Sequence, residues 1–272
     1  MTFIKTRDGT ELYYKDWGKG RPVVLIHGWP LDADQWEYQM PPLTEAGFRT
    51  IAYDRRGFGR SGQPWTGYDY DTLADDLKAV LDALDLQDVA LVGFSMGGGE
   101  IARYMSRHSG ARVTKAVLVS AVTPFLLKTP DHPDGASVSL FDGMKARLRQ
   151  DRPKFLADFS KGFFGVGLLT SPASTELIEW AGNVAMLASP KATIDCVTAF
   201  GETDFRPDMA HFKVPTLVIH GDADQTVPFE ISGKAAAAAI GGARLVVYEG
   251  APHAIPFTHA ERLTKDLIGF LE

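Results

Sequence analysis

Gly93-Phe94-Ser95-Met96-Gly97 decides how this chain is read. It follows the apolar run Val89-Ala90-Leu91-Val92 and precedes a helix-compatible segment, residues 98–107. A serine between two glycines at a strand-to-helix junction has the context of a nucleophile turn. The turn is too sharp for bulky neighbours, and the glycines let the backbone close up so that the hydroxyl stands clear of the sheet. The motif carries an expectation: an acid after a later strand and a histidine after the last strand, in that chain order.

Both partners are present. Pro215-Thr216-Leu217-Val218-Ile219-His220 reads as a buried strand running into residues 221–228, which hold Asp222 and Asp224. Leu245-Val246-Val247-Tyr248 reads as the next strand, and Ala251-Pro252-His253 follows it. A serine hydroxyl is a weak nucleophile at neutral pH. It needs a base to take its proton, and the base needs a carboxylate to fix its tautomer and stabilise the imidazolium. Ser95 and His253 fill the first two roles, and either aspartate is placed for the third. His27-Gly28-Trp29-Pro30 follows an apolar run ending at Ile26. The amides of Trp29 and Met96 are then the expected oxyanion donors, each worth on the order of 3 kcal/mol in the transition state.

Around these motifs, strands alternate with helices. Residues 11–17, 22–26, 50–53 and 115–119 read as strands, and Asp8-Gly9 as a hairpin turn. Residues 36–46 and 72–84 read as helices. The second is periodic in Leu73, Leu77, Val80, Leu81 and Leu84, with Asp71 as its N-cap. Ala235 to Ala239 reads as ordinary helix. This alternation predicts a mostly parallel central sheet with helices on both faces. The rhythm breaks over residues 123–212, which are rich in Pro, Gly and aromatic residues, with helical patches at 144–148, 154–159 and 176–187. The expected organisation is a core of 1–122 and 213–272 with a helical cap insertion at 123–212.

Composition narrows the function classes. The chain has 272 residues, 45% of them hydrophobic, which suits one large α/β domain with a sizeable core. A net charge of −6 argues against non-specific binding to nucleic acid or anionic membranes. No apolar run approaches the roughly 18 residues of a membrane span, and the start of the chain is charged rather than apolar. Cys196 is the only cysteine, so no internal disulfide and no thiolate metal cluster is expected. A cytoplasmic setting follows as the expectation.

His27-Gly28-Trp29-Pro30, Asp54-Arg55-Arg56-Gly57-Phe58-Gly59-Arg60-Ser61, Gly93 to Gly99 and His220-Gly221-Asp222-Ala223-Asp224 together resemble the bacterial cofactor-free haloperoxidases and their aryl esterase relatives. The similarity runs from Gly9 to Leu271 and is weakest in the cap. It implies an α/β-hydrolase fold and a Ser-Asp-His triad with no metal, haem or other cofactor. It also implies esterase activity on small esters alongside perhydrolysis. Its pattern places the acid four residues before a proline, which selects Asp224 before Pro228. Ser95 would form an acyl-enzyme from an ester or short carboxylic acid. Water would then release the acid, and hydrogen peroxide a peracid that oxidises halide. The resemblance also implies a perhydrolase-type loop at Pro30. Proline restricts the residue before it, so Pro30 is expected to turn the Trp29 carbonyl towards the peroxide. Assembly into a homo-oligomer is expected by analogy alone.

The remaining residues are read more plainly. His108, His132, His211, His220 and His259 are structural, and His27 shapes its turn by hydrogen bonding. Asp222 stabilises its loop, and Asp54 is a turn residue paired with Arg55 or Arg56. Cys196 is a small buried apolar residue. Pro30, Val122, Phe125, Phe159, Phe163, Phe200, Phe229 and Ile255 are the candidate substrate contacts. The alternatives are amide or γ-lactam hydrolysis by the same three residues, or a non-catalytic ligand receptor of the same fold. A dehalogenase would want aspartate at Ser95, and no ligand cluster at metal spacing supports a metal-dependent peroxidase.

Overall fold

Three runs with every residue buried form the centre of the molecule: Pro22–Ile26 (β3), Val89–Phe94 (β5) and Thr216–Gly221 (β7). A strand covered on both faces has no polar side to present, which is why these segments read as continuous apolar runs. The computed structural model describes residues 2–167 and 171–272. Its sheet has eight strands, with β1 (Thr2–Lys5), β2 (Glu11–Trp17), β4 (Arg49–Tyr53), β6 (Val113–Val119) and β8 (Arg244–Tyr248) completing it. The order is β1-β2-β4-β3-β5-β6-β7-β8. β1 pairs antiparallel with β2, and β2 with β4; all other pairs are parallel. The β1–β2 hairpin turns at Asp8-Gly9, where Gly9 has φ 89°.

The early helices are α1 (Met40–Glu45), α2 (Tyr70–Ala83) and α3 (Met96–Arg107). The expected helix over 36–46 is split: a short tight helix spans Ala33–Trp36, and α1 starts four residues later with prolines in its first turn. The cap of α2 is Asp69 rather than Asp71, because it is Asp69 whose side chain accepts from the Thr72 amide at 2.9 Å. Asp71 instead pairs with Arg103 and Arg107 on α3.

Between β6 and β7 lie α4 (Val138–Gln150), α5 (Arg152–Phe163), α6 (Thr175–Met186), α7 (Pro190–Glu202) and α8 (Arg206–Met209). The three helical patches of the sequence fall on α4, α5 and α6. α7 and α8 have no counterpart among them, although Ser189 caps α7 at the Ala192 amide and Pro190 opens it. Past β7 come α9 (Gly233–Ala239), then, after β8, α10 (Ile255–Thr258) and α11 (Ala260–Leu271). Among the described residues no helix is long and apolar enough to cross a membrane.

Candidate active site

Ser95 sits at the junction of β5 and α3 with φ 53° and ψ −117°, a conformation that costs a non-glycine residue on the order of 1–3 kcal/mol. The flanking glycines make it possible. A Cβ on Gly93 would meet the Gly97 carbonyl oxygen at 2.5 Å, and one on Gly97 would meet the Ile26 oxygen at 2.4 Å. Strand, turn and helix therefore close on each other only when both positions lack a side chain.

The Ser95 hydroxyl donates to His253 Nε2 at 2.9 Å, and His253 Nδ1 donates to Asp224 Oδ2 at 2.6 Å. All three residues are buried. They come from the turn after β5, the loop after β7 and the loop after β8, so the sheet order brings together positions 158 residues apart. The other oxygen of Asp224 accepts from the Thr226 and Val227 amides at 2.9 and 2.8 Å. Burial alone would raise the Asp224 pKa. The His253 charge and the hydrogen bonds from His220 and His253 outweigh it and hold the group well below the usual carboxylate range. Asp222 faces elsewhere and accepts from the Gly250 amide at 2.6 Å, joining the loops after β7 and β8. The His253 ring lies between Phe94 (centroids 4.9 Å) and Phe163 (5.2 Å), which shield it from water.

The loop after β3 is braced from behind. His27 Nδ1 donates to the Gly28 carbonyl at 2.8 Å, and its Nε2 accepts from the Arg55 amide at 2.9 Å. Burial, followed by the Arg55 charge, holds His27 well below its ordinary pKa, so the ring stays neutral in this role. Arg55 donates to the His27 carbonyl at 2.8 Å and is itself paired with buried Glu100 at 2.8 Å. Asp54 pairs with Arg60 at 2.7 Å, not with Arg55 or Arg56, because Arg56 turns to Asp76 at 2.6 Å and to Asp8. Gln35 accepts from the Gly28 amide at 2.9 Å. Among the described residues no protein acceptor takes the Trp29 or the Met96 amide. The Trp29 indole donates to the Thr193 carbonyl of α7 at 3.0 Å and meets Phe159 and Phe200 edge-on at 5.3 and 5.5 Å.

Ser95 and His253 border a cavity of about 400 Å³. Of the eight expected substrate contacts, Val122, Phe159 and Phe200 line it, beside the expected oxyanion residue Trp29. The other five lie elsewhere. Pro30 follows Trp29 but turns to a small recess beneath α5 and α6. Phe125 lies under the Arg206 guanidinium, 4.9 Å away, and beside His132. Phe163 packs on His253, and Phe229 on His220 at 5.8 Å. Ile255 opens α10 inside the core. In their place the cavity takes Leu140, Phe141 and Met144 from α4 and Phe155 from α5. Their signal was helical spacing, Phe141-Met144-Leu148 and Phe155-Phe159, in a region where the start of α4 was not evident. Arg147 and Asp158 also border the cavity and pair across α4 and α5 at 3.0 Å.

His220, read from the sequence as structural at a strand end, lies against Asp224. Its Nε2 is 3.3 Å from Asp224 Oδ2 and 2.9 Å from the Val227 carbonyl. The available signal was its place four residues before Asp224 at the end of a buried strand. Cys196 is fully buried, which pushes its thiol up to about 12. Among the described residues no group of three or more His, Cys, Asp or Glu is placed to hold a metal ion.

Residues 21–260 match the family model for the α/β-hydrolase fold. The chain is 45% identical to the non-heme chloroperoxidase of Kitasatospora aureofaciens over 273 residues, covering 100% of this chain and 99% of the relative. It is 42% identical to the bifunctional esterase/perhydrolase of Acinetobacter calcoaceticus, again covering 100% and 99%. The crystal structure of bromoperoxidase from Bacillus anthracis superposes with a TM-score of 0.96 at 50% identity, covering 99% of each chain. A serine on a strained turn after β5 and an eight-stranded sheet of this order belong with matches that run the length of the chain, and the protein is accordingly a member of the α/β-hydrolase fold family, in its branch of non-heme haloperoxidases and esterase/perhydrolases.

Proposed function

We propose that the protein is a serine hydrolase that acylates Ser95 from small esters or short carboxylic acids and passes the acyl group to water or to hydrogen peroxide. The observation that carries this reading is the hydrogen-bonded series Ser95–His253–Asp224 on the wall of a largely apolar cavity. His253 takes the hydroxyl proton as Ser95 attacks the acyl carbon. Asp224 holds the ring in the tautomer that leaves Nε2 free to accept, and it stabilises the imidazolium. The Trp29 and Met96 amides, with no protein acceptor among the described residues, receive the oxyanion. His253 then returns the proton to the leaving group, and the same base activates the second nucleophile. Water gives the acid; hydrogen peroxide gives a peracid. α4, α5 and α7 act as the cap that shapes the acyl pocket. Pro30, through its restriction of Trp29, biases the choice of second nucleophile; an unchanged peracid-to-acid ratio in Pro30→Leu removes it from that role. The single, buried Cys196 supports a reducing, cytoplasmic setting.

The deciding experiment measures peracetic acid formed from acetate and hydrogen peroxide with a chelator present, for wild type and Ser95→Ala. Formation that depends on Ser95 is expected. If a small aryl ester is cleaved through Ser95 with no peracid formed, the protein is an esterase without the peroxide branch.

A further inference from the structure

Of the seven methionines in the chain, six lie in the described residues. Met40, Met96, Met105 and Met209 are sealed in the core. Met186 is 38% exposed at the end of α6. Met144 alone among the described methionines lines the cavity bordered by Ser95, on a wall shared with Leu140 and Phe141 of α4. It is half-buried and packed against the core. No part of the hydrolytic mechanism uses its thioether.

We infer that Met144 is an oxidation site fed by the protein's own product, an inference that rests on the perhydrolase reading of Ser95. A peracid released from the acyl-enzyme starts its path out inside this cavity. One molecule in a space of about 400 Å³ is at a local concentration on the order of molar, far above anything in the bulk. The Met144 sulfur donates a lone pair to the terminal peroxy oxygen, a sulfur–oxygen bond forms and the O–O bond breaks. The sulfur is oxidised by two electrons, the peracid is reduced to the carboxylic acid, and the peroxy proton ends on that acid. The product is a polar, chiral sulfoxide in an apolar wall. Apolar esters then bind less well to a pocket that has gained an unpaired acceptor. The Cys196 thiol of α7 is fully buried and lies outside the lining.

The test uses the intact protein with acetate and hydrogen peroxide, and with excess free methionine in the buffer to capture escaped peracid. Peptide mass spectrometry reads sulfoxide at Met144 and, as an internal surface reference, at Met186. Released peracid is read separately from the oxidised free methionine. We expect Met144 to be oxidised about tenfold faster than Met186 during turnover. That preference should vanish in Ser95→Ala, in wild type given peroxide without acetate, and when peracetic acid is added from outside. The KM for an apolar aryl ester should rise with exposure in wild type, while Met144→Leu holds its own starting value. Peracid formation without a Met144 preference overturns this inference and leaves the function standing. Absence of Ser95-dependent peracid overturns this inference together with the peroxide branch of the function.

Discussion

His220 Nε2 lies 3.3 Å from Asp224 Oδ2, the same carboxylate oxygen that His253 Nδ1 reaches at 2.6 Å. Its second neighbour, the Val227 carbonyl at 2.9 Å, is also an acceptor, so Nε2 carries the hydrogen. Nδ1 faces Gly233, where even a Cβ would come within 2.5 Å, and among the described residues it has no partner. The fold thus holds a buried, one-sided donor against the acid. His220→Ala should lower kcat about tenfold, the worth of a hydrogen bond to a charged group, with KM for a small ester little changed. His220→Gln, which restores an N–H, should recover part of the loss. Equal losses in both variants, or a change confined to KM, would mean that His220 only fills space.

Asp222 and Asp224 are two residues apart but differ in what they hold. Asp224→Asn should leave His253 in the wrong tautomer and cut kcat by about 10⁴. Asp222→Ala removes only the acceptor for the Gly250 amide, so it should cost about 1 kcal/mol of stability with kcat within about twofold. Ester hydrolysis and thermal unfolding of the pair check this directly, and a reversed ranking would reassign the acid.

Gly97→Ala tests how the nucleophile turn is built. The added methyl would lie 2.4 Å from the Ile26 oxygen and 3.0 Å from that of His27, backbone atoms that lead into the Trp29 loop. The expected cost is about 1–3 kcal/mol of stability, with a fall in kcat as the Trp29 and Met96 amides, the proposed oxyanion donors, are forced apart. Gly143→Ala on α4 meets nothing within 4 Å and should instead gain about 0.5–1 kcal/mol. If both changes were neutral, the close approach at Gly97 would not matter.

Much of this site could be read from the chain because its parts sit where the backbone changes direction. Ser95, Asp224 and His253 each follow a fully or largely apolar strand, and a strand end fixes where the next residue points. The other strands were legible for the same reason, but not β1, which is four residues long and buries only Ile4. The pocket was not. Phe155, Phe159 and Phe163 share one face of α5 at helical spacing, yet two line the cavity and the third packs on His253. Which way an apolar side chain faces depends on how α4 and α5 lie over the sheet, and that is tertiary information. Ion pairing was equally opaque: Arg55, Arg56 and Arg60 are near neighbours, but they choose Glu100, Asp76 and Asp54.

Asp32 gives the fold a dependence on pH that runs against the usual one for a carboxylate. Its Oδ1 accepts from the Asp34 amide at 2.8 Å, while buried Oδ2 has no partner among the described residues. Burial, then the charges of Asp54 and Asp34, raise the group from 3.8 to about 7. The folded chain therefore binds a proton that the unfolded chain has released between about pH 4 and about pH 7. Asp32 is without penalty below that window, and stability falls as pH rises through it. Asp224, held below its ordinary range, contributes in the opposite sense: its stabilisation is present above about pH 4 and is lost as acid protonates it. Asp32→Asn keeps the Oδ1 acceptor and removes the charge. Its advantage over wild type should be present at pH 5 and grow by on the order of 2 kcal/mol between pH 5 and pH 8. Denaturant unfolding of both proteins at the two pH values measures it. An advantage that does not grow with pH would show that Asp32 is already ionised in the folded chain, with Arg60 at 3.7 Å carrying its charge.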